Sequence, residues 1–268
     1  MAKKERLDVI LVNRGLIDTR EKAKRAIMAG LVYSETERMD KPGVKVNEDI
    51  SLQIKGDTLR YVGRGGLKLE KAIEVFSLQP EGKIVLDIGS STGGFTDCAL
   101  QNGASLVYAL DVGYNQLAWK LRVDDRVIVK ERTNFRYSVK EDFTSGLPDL
   151  ATIDVSFISL KLILPVLKEI LKENGEVVAL VKPQFEAGRG EVGKKGIVRD
   201  KKIHLRVLTE MMDFATREGY QVNGISFSPI TGGEGNIEFL LYLGWKQNRT
   251  SMNVPLAEEI VEQAHQQL

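Results

Sequence analysis

The sequence predicts an α/β chain: a doubly wound, mainly parallel sheet closed by a terminal antiparallel hairpin and preceded by a small α+β domain. Three observations carry this. From Lys83 onward, short continuous apolar runs alternate with amphipathic stretches, as buried parallel strands and their covering helices do. The last two runs, "YQVNGISFSPI" and "IEFLLYLGW", are joined by "TGGEGN", which is too short for a crossover helix, so they must pair antiparallel. Ahead of residue 60 the pattern changes to two short charged helices followed by brief strand-like segments.

A chain of 268 residues has room for one large domain and one small one. The expected boundaries are a small domain over 1–60, a linker with a leading helix over 61–82, the large domain over 83–246, and a C-terminal tail with a helix over 247–268. The 43% apolar and 28% charged content is that of an ordinary globular protein. The start, "MAKKERLDVILVNRG", lacks the apolar core of a signal peptide, and no apolar run approaches the roughly 18 residues of a membrane helix. A cytoplasmic location without a membrane partner is expected. The single Cys98 excludes an intramolecular disulfide and a cysteine-rich metal site, and it reads as a core residue. His204 and His265 stand alone in the sequence, so no metal is expected. Nothing in the sequence sets an oligomeric state.

In the small domain, "RLDVILVNRG" reads as a helix ending at Gly15. "DTREKAKRAIMAG" reads as a second, opened by Asp18 and Glu21 in capping-box spacing and stopped at Gly30. Ala23 and Ile27 share its buried face. Arg20 and Lys24 lie one turn apart on another face beside Arg25, where they could meet phosphates. "LVYSE", "KPGVKVNEDISLQI" and the join "GDTLRYVGRGG" follow. Residues 1–66 hold 14 of the 38 Lys/Arg and 10 of the 37 Asp/Glu, leaving 24 against 27 for the rest, so positive charge concentrates at the front.

In the large domain, "KIVLDIG", "SLVYALDVG", "RVIVKE", "DLATIDVS" and "EVVALVKP" are the parallel strands. "FTDCALQNG", "LKLILPVLKEILKENG" and "KKIHLRVLTEMMDFATREG" are helices. The turn "VLDIGSSTGGFTD" decides the ligand. Its spacing, Gly89-x-x-x-Gly93-Gly94, is not the G-x-G-x-x-G of a dinucleotide site. "GRGEVGKK" from Gly188 has a phosphate-loop skeleton, but Lys195 stands where Ser or Thr is required and no strand precedes it. Asp111 closes the next strand, where a carboxylate can accept hydrogen bonds from both hydroxyls of a nucleoside ribose. Asn134, after the third strand, is a candidate for an adenine edge.

Four charged residues fall where the carboxyl edge of such a sheet gathers its ligands. Asp154 ends "LATIDVS", Lys182 ends "EVVALVK", Glu238 opens "IEFLLYL", and Lys68 lies in "GRGGLKLEKA". A lysine and an aspartate ending two core strands must be paired or used.

The front segment resembles the small RNA-binding domain of a ribosomal small-subunit protein that pseudouridine synthases share. The sheet with its terminal hairpin resembles the methyltransferase version of the Rossmann fold. Asp87, Gly89, Gly93, Gly94 and Phe95 resemble the S-adenosylmethionine loop of FtsJ-like RNA ribose methyltransferases, with Ser90 and Ser91 inside that loop. Lys68, Asp154, Lys182 and Glu238 resemble the Lys-Asp-Lys-Glu tetrad of those enzymes. With "DVSFIS", "VKPQFE" and "GGEGNIEF", the likeness covers nearly the whole chain and points to the TlyA family, many of whose members carry the label hemolysin. This resemblance implies transfer of a methyl group from S-adenosylmethionine to a cytidine 2′-hydroxyl of ribosomal RNA, with the four tetrad residues catalytic and Asp154 also at the cofactor. Ribosomal RNA or ribosomal subunits are the implied partners. Arg20, Lys24, Arg25, Arg64, Arg189, Lys194 and Lys195 are the expected RNA contacts, the last three in a glycine-rich basic loop expected to order on RNA.

Lys182 is the candidate base, or else it orients the hydroxyl while the proton leaves late. An exocyclic-amine methyltransferase is the alternative enzyme, because "DVSF" loosely resembles an Asp-Pro-Pro-Tyr loop, but neither proline is present. A non-enzymatic RNA-binding protein and a lytic protein are the alternatives of other classes. The lytic reading lacks a strongly apolar amphipathic helix.

Overall fold

The computed structural model describes residues 4–17, 19–28, 30–35, 37–54, 60–232, 235–247 and 254–268. The Asp18 cap, part of the "GDTLRYVGRGG" join, the middle of "TGGEGN" and the Arg189 side chain lie outside the described residues. The chain divides into two compact units, Met1–Arg64 and Gly65–Leu268.

The first unit runs β1 (Lys4–Arg6), α1 (Leu7–Asn13), α2 (Arg20–Met28), β2 (Val32–Ser34), β3 (Glu37–Arg38), β4 (Lys45–Asn47) and β5 (Gln53–Ile54). Strand β1 pairs antiparallel with β4, and β2 lies between β3 and β5. The two helices form the core by burying Leu7, Leu11, Ala23 and Ile27 against Ile17 and Val32. In so small a unit each such side chain, contributing about 1.5–3 kcal/mol on burial, is a large share of stability.

The second unit opens with α3 (Gly66–Phe76), within the stretch expected as linker and leading helix. It continues through β6 (Ile84–Ile88), α4 (Gly94–Gln101), β7 (Leu106–Leu110), α5 (Trp119–Arg122), β8 (Val127–Lys130) and β9 (Leu150–Ile153). Then come α6 (Leu164–Ile170), β10 (Glu176–Val181), α7 (Pro183–Glu186), α8 (Lys201–Arg217), β11 (Tyr220–Phe227), β12 (Phe239–Trp245) and α9 (Ala257–Gln267). Seven strands form one sheet in the order β11-β12-β10-β9-β6-β7-β8. Strands β10, β9, β6, β7 and β8 are parallel, while β12 is antiparallel to both its neighbours. Every residue of β9 and β10 is buried, which is why these runs are apolar on both faces rather than alternating.

Two local features differ from the sequence reading. The expected single helix over "LKLILPVLKEILKENG" is a 3-10 turn at Leu160–Leu162 followed by α6, because Pro165 has no N–H to give and fits only the first helical turn. The C-terminal helix α9, expected in a tail outside the large domain, is part of that unit: Ile260, Val261 and Ala264 enter the main core, and α9 packs on α8 and β11. The glycine-rich loop after Lys182 holds short 3-10 turns at 189–191 and 194–196. Its exit is tied by the buried Asn236, which accepts from the Val198 N–H at 3.1 Å and donates to the Gly196 carbonyl at 3.0 Å. Among the described residues, no helix is long and apolar enough to cross a membrane.

Candidate active site

Strand order places the candidate residues side by side. Along the edge where the parallel strands end stand Glu238 just ahead of β12, Lys182 after β10, Asp154 after β9, Gly89 after β6 and Asp111 after β7. Neighbouring strands lie about 4.8 Å apart, so this row spans roughly 20 Å. Register aligns the first two, because Val181 pairs with Phe239 and the residues beside them share one level.

The tetrad residues meet. Lys182 Nζ lies 2.6 Å from Asp154 Oδ1. Lys68, from the first turn of α3, donates to Glu238 Oε2 at 2.6 Å and to Asp154 Oδ2 at 3.5 Å. Both Asp154 oxygens therefore face a lysine. Lys68, Lys182 and Glu238 are buried, so each charge needs its partner; removing one partner from such a pair costs about 3–5 kcal/mol. Burial lowers the Lys68 pKa, but the carboxylates of Asp154 and Glu238 outweigh it and hold the ammonium above its ordinary range. Gly232 makes room for this arrangement: a Cβ there would stand 2.1 Å from Glu238 Oε1. Lys182 also donates to Ser156 Oγ at 3.2 Å.

Beside the tetrad lies a cleft of about 690 Å3, within the range of small-molecule sites. Of the residues expected at a cofactor, Gly89, Ser91, Asp111, Asn134 and Asp154 line it. Asp87, Ser90, Gly93, Gly94 and Phe95 do not. Gly89 has φ +86°, and a Cβ there would lie 2.6 Å from the Asp154 carbonyl oxygen, so only glycine lets β6 turn this close to β9. The Asp111 carboxylate accepts from the backbone N–H of Ser91 at 2.8 Å and of Gly113 at 2.7 Å, one on each oxygen. Each oxygen keeps a second acceptor direction, as two ribose hydroxyls require. Asn134 caps a turn instead of standing alone, its Oδ1 accepting from Arg136 N and Nε, both at 3.2 Å. With apolar walls from Leu110, Phe135 and Ile163, the cleft fits S-adenosylmethionine.

Asp87 is buried behind the loop, not at the cleft. It accepts from Thr96 Oγ1 at 2.6 Å and Thr152 Oγ1 at 3.2 Å, joining the helix after the glycine turn to β9. Burial drives its pKa up to about 7, with the Asp154 charge adding to a rise that the threonine bonds partly offset.

Three functional features escaped the sequence reading. Phe157 has φ +63° and is 91% exposed at the cleft, its ring 5.1 Å from that of Phe185. A bulky residue held in the left-handed region costs about 1–2 kcal/mol and points to use. Glu186 accepts from Ser159 Oγ at 2.5 Å and the Leu160 N–H at 2.8 Å, stapling the loop after Asp154 to the turn after Lys182; burial raises its pKa. In the first unit, the buried Asp8 accepts from Arg6 Nε at 2.9 Å and Nη2 at 3.1 Å, and from Arg20 Nε at 2.9 Å. Burial pushes the Asp8 pKa up, but the two guanidiniums overcome this and hold it below the usual carboxylate range. No periodicity marks these features, since all depend on a partner distant in sequence or on a backbone angle.

Of the expected RNA contacts, Arg20 is thus braced by Asp8 while remaining half exposed, and Arg25 pairs with Glu21 at 3.4 Å. Lys24, Arg64, Lys194 and Lys195 are exposed. The two loop lysines stand beside Arg199 on a shallow open cleft.

Comparison with known proteins follows the same division. Residues 61–245 match the FtsJ-like methyltransferase family, and residues 5–49 match the S4 domain. A Bacillus subtilis protein provisionally named an rRNA methyltransferase, YqxC, is 64% identical over all of this chain and 96% of its own length. The Mycobacterium tuberculosis 16S/23S rRNA (cytidine-2′-O)-methyltransferase TlyA is 41% identical over 93% of each chain. A solved structure from Streptococcus thermophilus, provisionally named a hemolysin, is 57% identical, superposes with a TM-score of 0.79, and covers 100% of this chain and 98% of its own. The chain is an S4 domain followed by a methyltransferase domain, and it belongs to the FtsJ-like methyltransferases of the TlyA family.

Proposed function

We propose that this protein methylates ribose 2′-hydroxyls of ribosomal RNA, with cytidine as the target nucleoside and S-adenosylmethionine as the methyl donor. One observation carries the reading: two lysines share the two oxygens of Asp154 at the edge of a cofactor-sized cleft. An enzyme acting on an exocyclic amine needs an acceptor turned to the base. Here the Asp154 carboxylate holds two lysines, one on each oxygen, and an amine-directed site would have no task for them. The relative named for cytidine-2′-O-methylation of 16S and 23S rRNA supports the substrate.

S-adenosylmethionine, when bound, supplies a methyl group on a positively charged sulfur. Asp111 would hold its ribose hydroxyls, Gly89 and Ser91 would approach it through backbone, and the apolar wall around Phe135 would cover its adenine. The exposed Phe157 ring offers a flat face to the incoming base. Lys68, held between two carboxylates, stays a cation and fixes Glu238 and Asp154. Lys182 meets one carboxylate oxygen and one cleft-lining hydroxyl, which leaves one direction of its Nζ for the substrate, and this Nζ receives the 2′-hydroxyl proton. Arg6 and Arg20, set by Asp8, together with Lys24, Arg64, Arg189, Lys194 and Lys195 meet phosphates as charge-assisted donors. Whole ribosomal subunits in the cytoplasm are the natural substrate form.

Lys182→Ala is the direct test, because Asp154 would keep Lys68 and the fold would survive. Single-turnover methyl transfer should fall by about 100-fold or more, the scale for losing a positioned base, with cofactor and RNA affinities nearly unchanged. A variant that keeps most of the wild-type rate at saturating RNA and cofactor would rule out the proposed chemistry.

A further inference from the structure

We propose that Ser156 is a positioning residue for methyl transfer: its hydroxyl fixes the direction of the Lys182 amine, so that the remaining direction of Nζ meets the target hydroxyl. The inference rests on the ribose-methylation reading and adds to it a residue outside the tetrad.

Nζ of a lysine has three hydrogen-bonding directions about its bond to Cε. On Lys182, Asp154 Oδ1 takes one at 2.6 Å and Ser156 Oγ takes a second at 3.2 Å. The two anchors differ in kind. The aspartate is a charged partner directly after β9, whereas Ser156 is a neutral, exposed hydroxyl that lines the cleft. An exposed hydroxyl is not required to satisfy a buried cation already paired with a carboxylate. Its use is directional: without a second anchor Nζ is free to rotate and swing about the Asp154 contact.

The backbone is built to present this hydroxyl. Ser156 sits between Asp154 and the left-handed Phe157, in a bend over residues 156–158. Three residues on, the loop is stapled by Glu186, which holds Ser159 Oγ and the Leu160 N–H. Glu186 belongs to α7, the turn that begins directly after Lys182. The segment carrying Ser156 and the segment carrying Lys182 are therefore joined at two places, Ser156 to Lys182 and Ser159 to Glu186. A shift of about 1 Å at a reacting group can cost 100-fold in rate, so a brace of this kind has a kinetic consequence.

The groups facing Lys182 Nζ are Asp154 and Ser156 from the β9 exit and the Phe185 ring at 5.8 Å, with Lys68 and Glu238 beyond Asp154. Ser156 is the one among them that accepts a hydrogen bond from Nζ without carrying charge. Deleting that acceptor weakens the ammonium form relative to the amine.

The experiment compares wild type, Ser156→Ala, Ser156→Thr and Lys182→Ala in single-turnover transfer of methyl from labelled S-adenosylmethionine to ribosomal RNA across pH, with calorimetric cofactor binding and filter-binding of RNA alongside. Ser156→Ala should slow transfer about tenfold at saturation, leave both affinities within about twofold, and move the acidic limb of the rate profile to lower pH. Ser156→Thr, which restores an acceptor, should recover most of the rate and the wild-type limb. A Ser156→Ala protein with an unchanged rate and limb, while Lys182→Ala is slow, overturns this inference and leaves the ribose reading standing. Loss of cofactor binding in the alanine variant also overturns it, since the hydroxyl would then serve the cleft and not the lysine. A wild-type protein that transfers no methyl group to ribosomal RNA defeats the ribose reading itself and this inference with it.

Discussion

Asp87 shows how one buried side chain can serve the site without touching a ligand. It is wholly buried, yet its two threonine bonds tie the helix after the glycine turn to the strand that delivers Asp154. Its pKa is pushed up to about 7, against 3.8 for a free aspartate. The folded state therefore binds this proton more tightly than the unfolded chain. The associated stability is fully present below about pH 4 and is lost as pH rises through 7. Asp87→Asn removes this titration. Its stability relative to wild type should rise with pH across that window, by at most roughly 4 kcal/mol. Urea unfolding of both proteins at pH 5 and pH 8 checks this, and an equal difference at the two pH values would exclude the carboxylate as the source.

Helices α8 and α9 are joined by the chain's two histidines. His204 Nε2 donates to the Val198 carbonyl at 3.0 Å, because that oxygen can only accept. His204 Nδ1 is therefore the acceptor, and His265 Nε2 donates to it at 2.9 Å. Burial first, and the His265 charge second, lower the His204 pKa to about 4 from 6.5. A depressed histidine contributes stability that is present above pH 6.5 and lost as pH falls toward 4, here up to roughly 3 kcal/mol. Asp87 acts in the opposite sense over part of this range, so the effect is read from a variant and not from the bare profile. His204→Leu should unfold more easily at pH 7, by about 1 kcal/mol for the lost Val198 bond, and should narrow that deficit between pH 6.5 and 4. Thermal unfolding across pH tests it; a deficit independent of pH would mean that His204 does not titrate in this window. The clasp also matters to the site, since Val198 ends the loop that follows Lys182.

At the scale of the molecule, the candidate residues are divided between the two units. The second has its own core, the cleft and all four tetrad residues, while the first carries the Arg6–Asp8–Arg20 cluster and the basic face of α2. Deleting residues 1–60 should leave a folded protein that binds S-adenosylmethionine with wild-type affinity but no longer methylates ribosomal RNA. Calorimetry and a methylation assay on intact ribosomal RNA measure the two halves of this expectation. Full activity of the shortened chain would show that the second unit recognises its substrate unaided.

Much of this architecture was legible in the sequence because it follows from local rules. Continuous apolar runs mark buried parallel strands, a short loop forces the terminal hairpin, and a charge at the end of an apolar strand marks the sheet edge. The resemblance of Lys68, Asp154, Lys182 and Glu238 to a known tetrad named a site whose members lie up to 170 positions apart. Tertiary structure alone decided which lysine meets which oxygen, because that depends on strand order and register. It alone turned Asp87 away from the cleft, placed Ser156 on Lys182, forced Phe157 into the left-handed region and set Arg6 beside Arg20 on Asp8. Periodicity encodes which face of an element is buried; it carries no record of the distant partner that satisfies a buried charge. That partner is fixed only when the elements pack, where the cost of leaving a carboxylate or ammonium unpaired selects one arrangement.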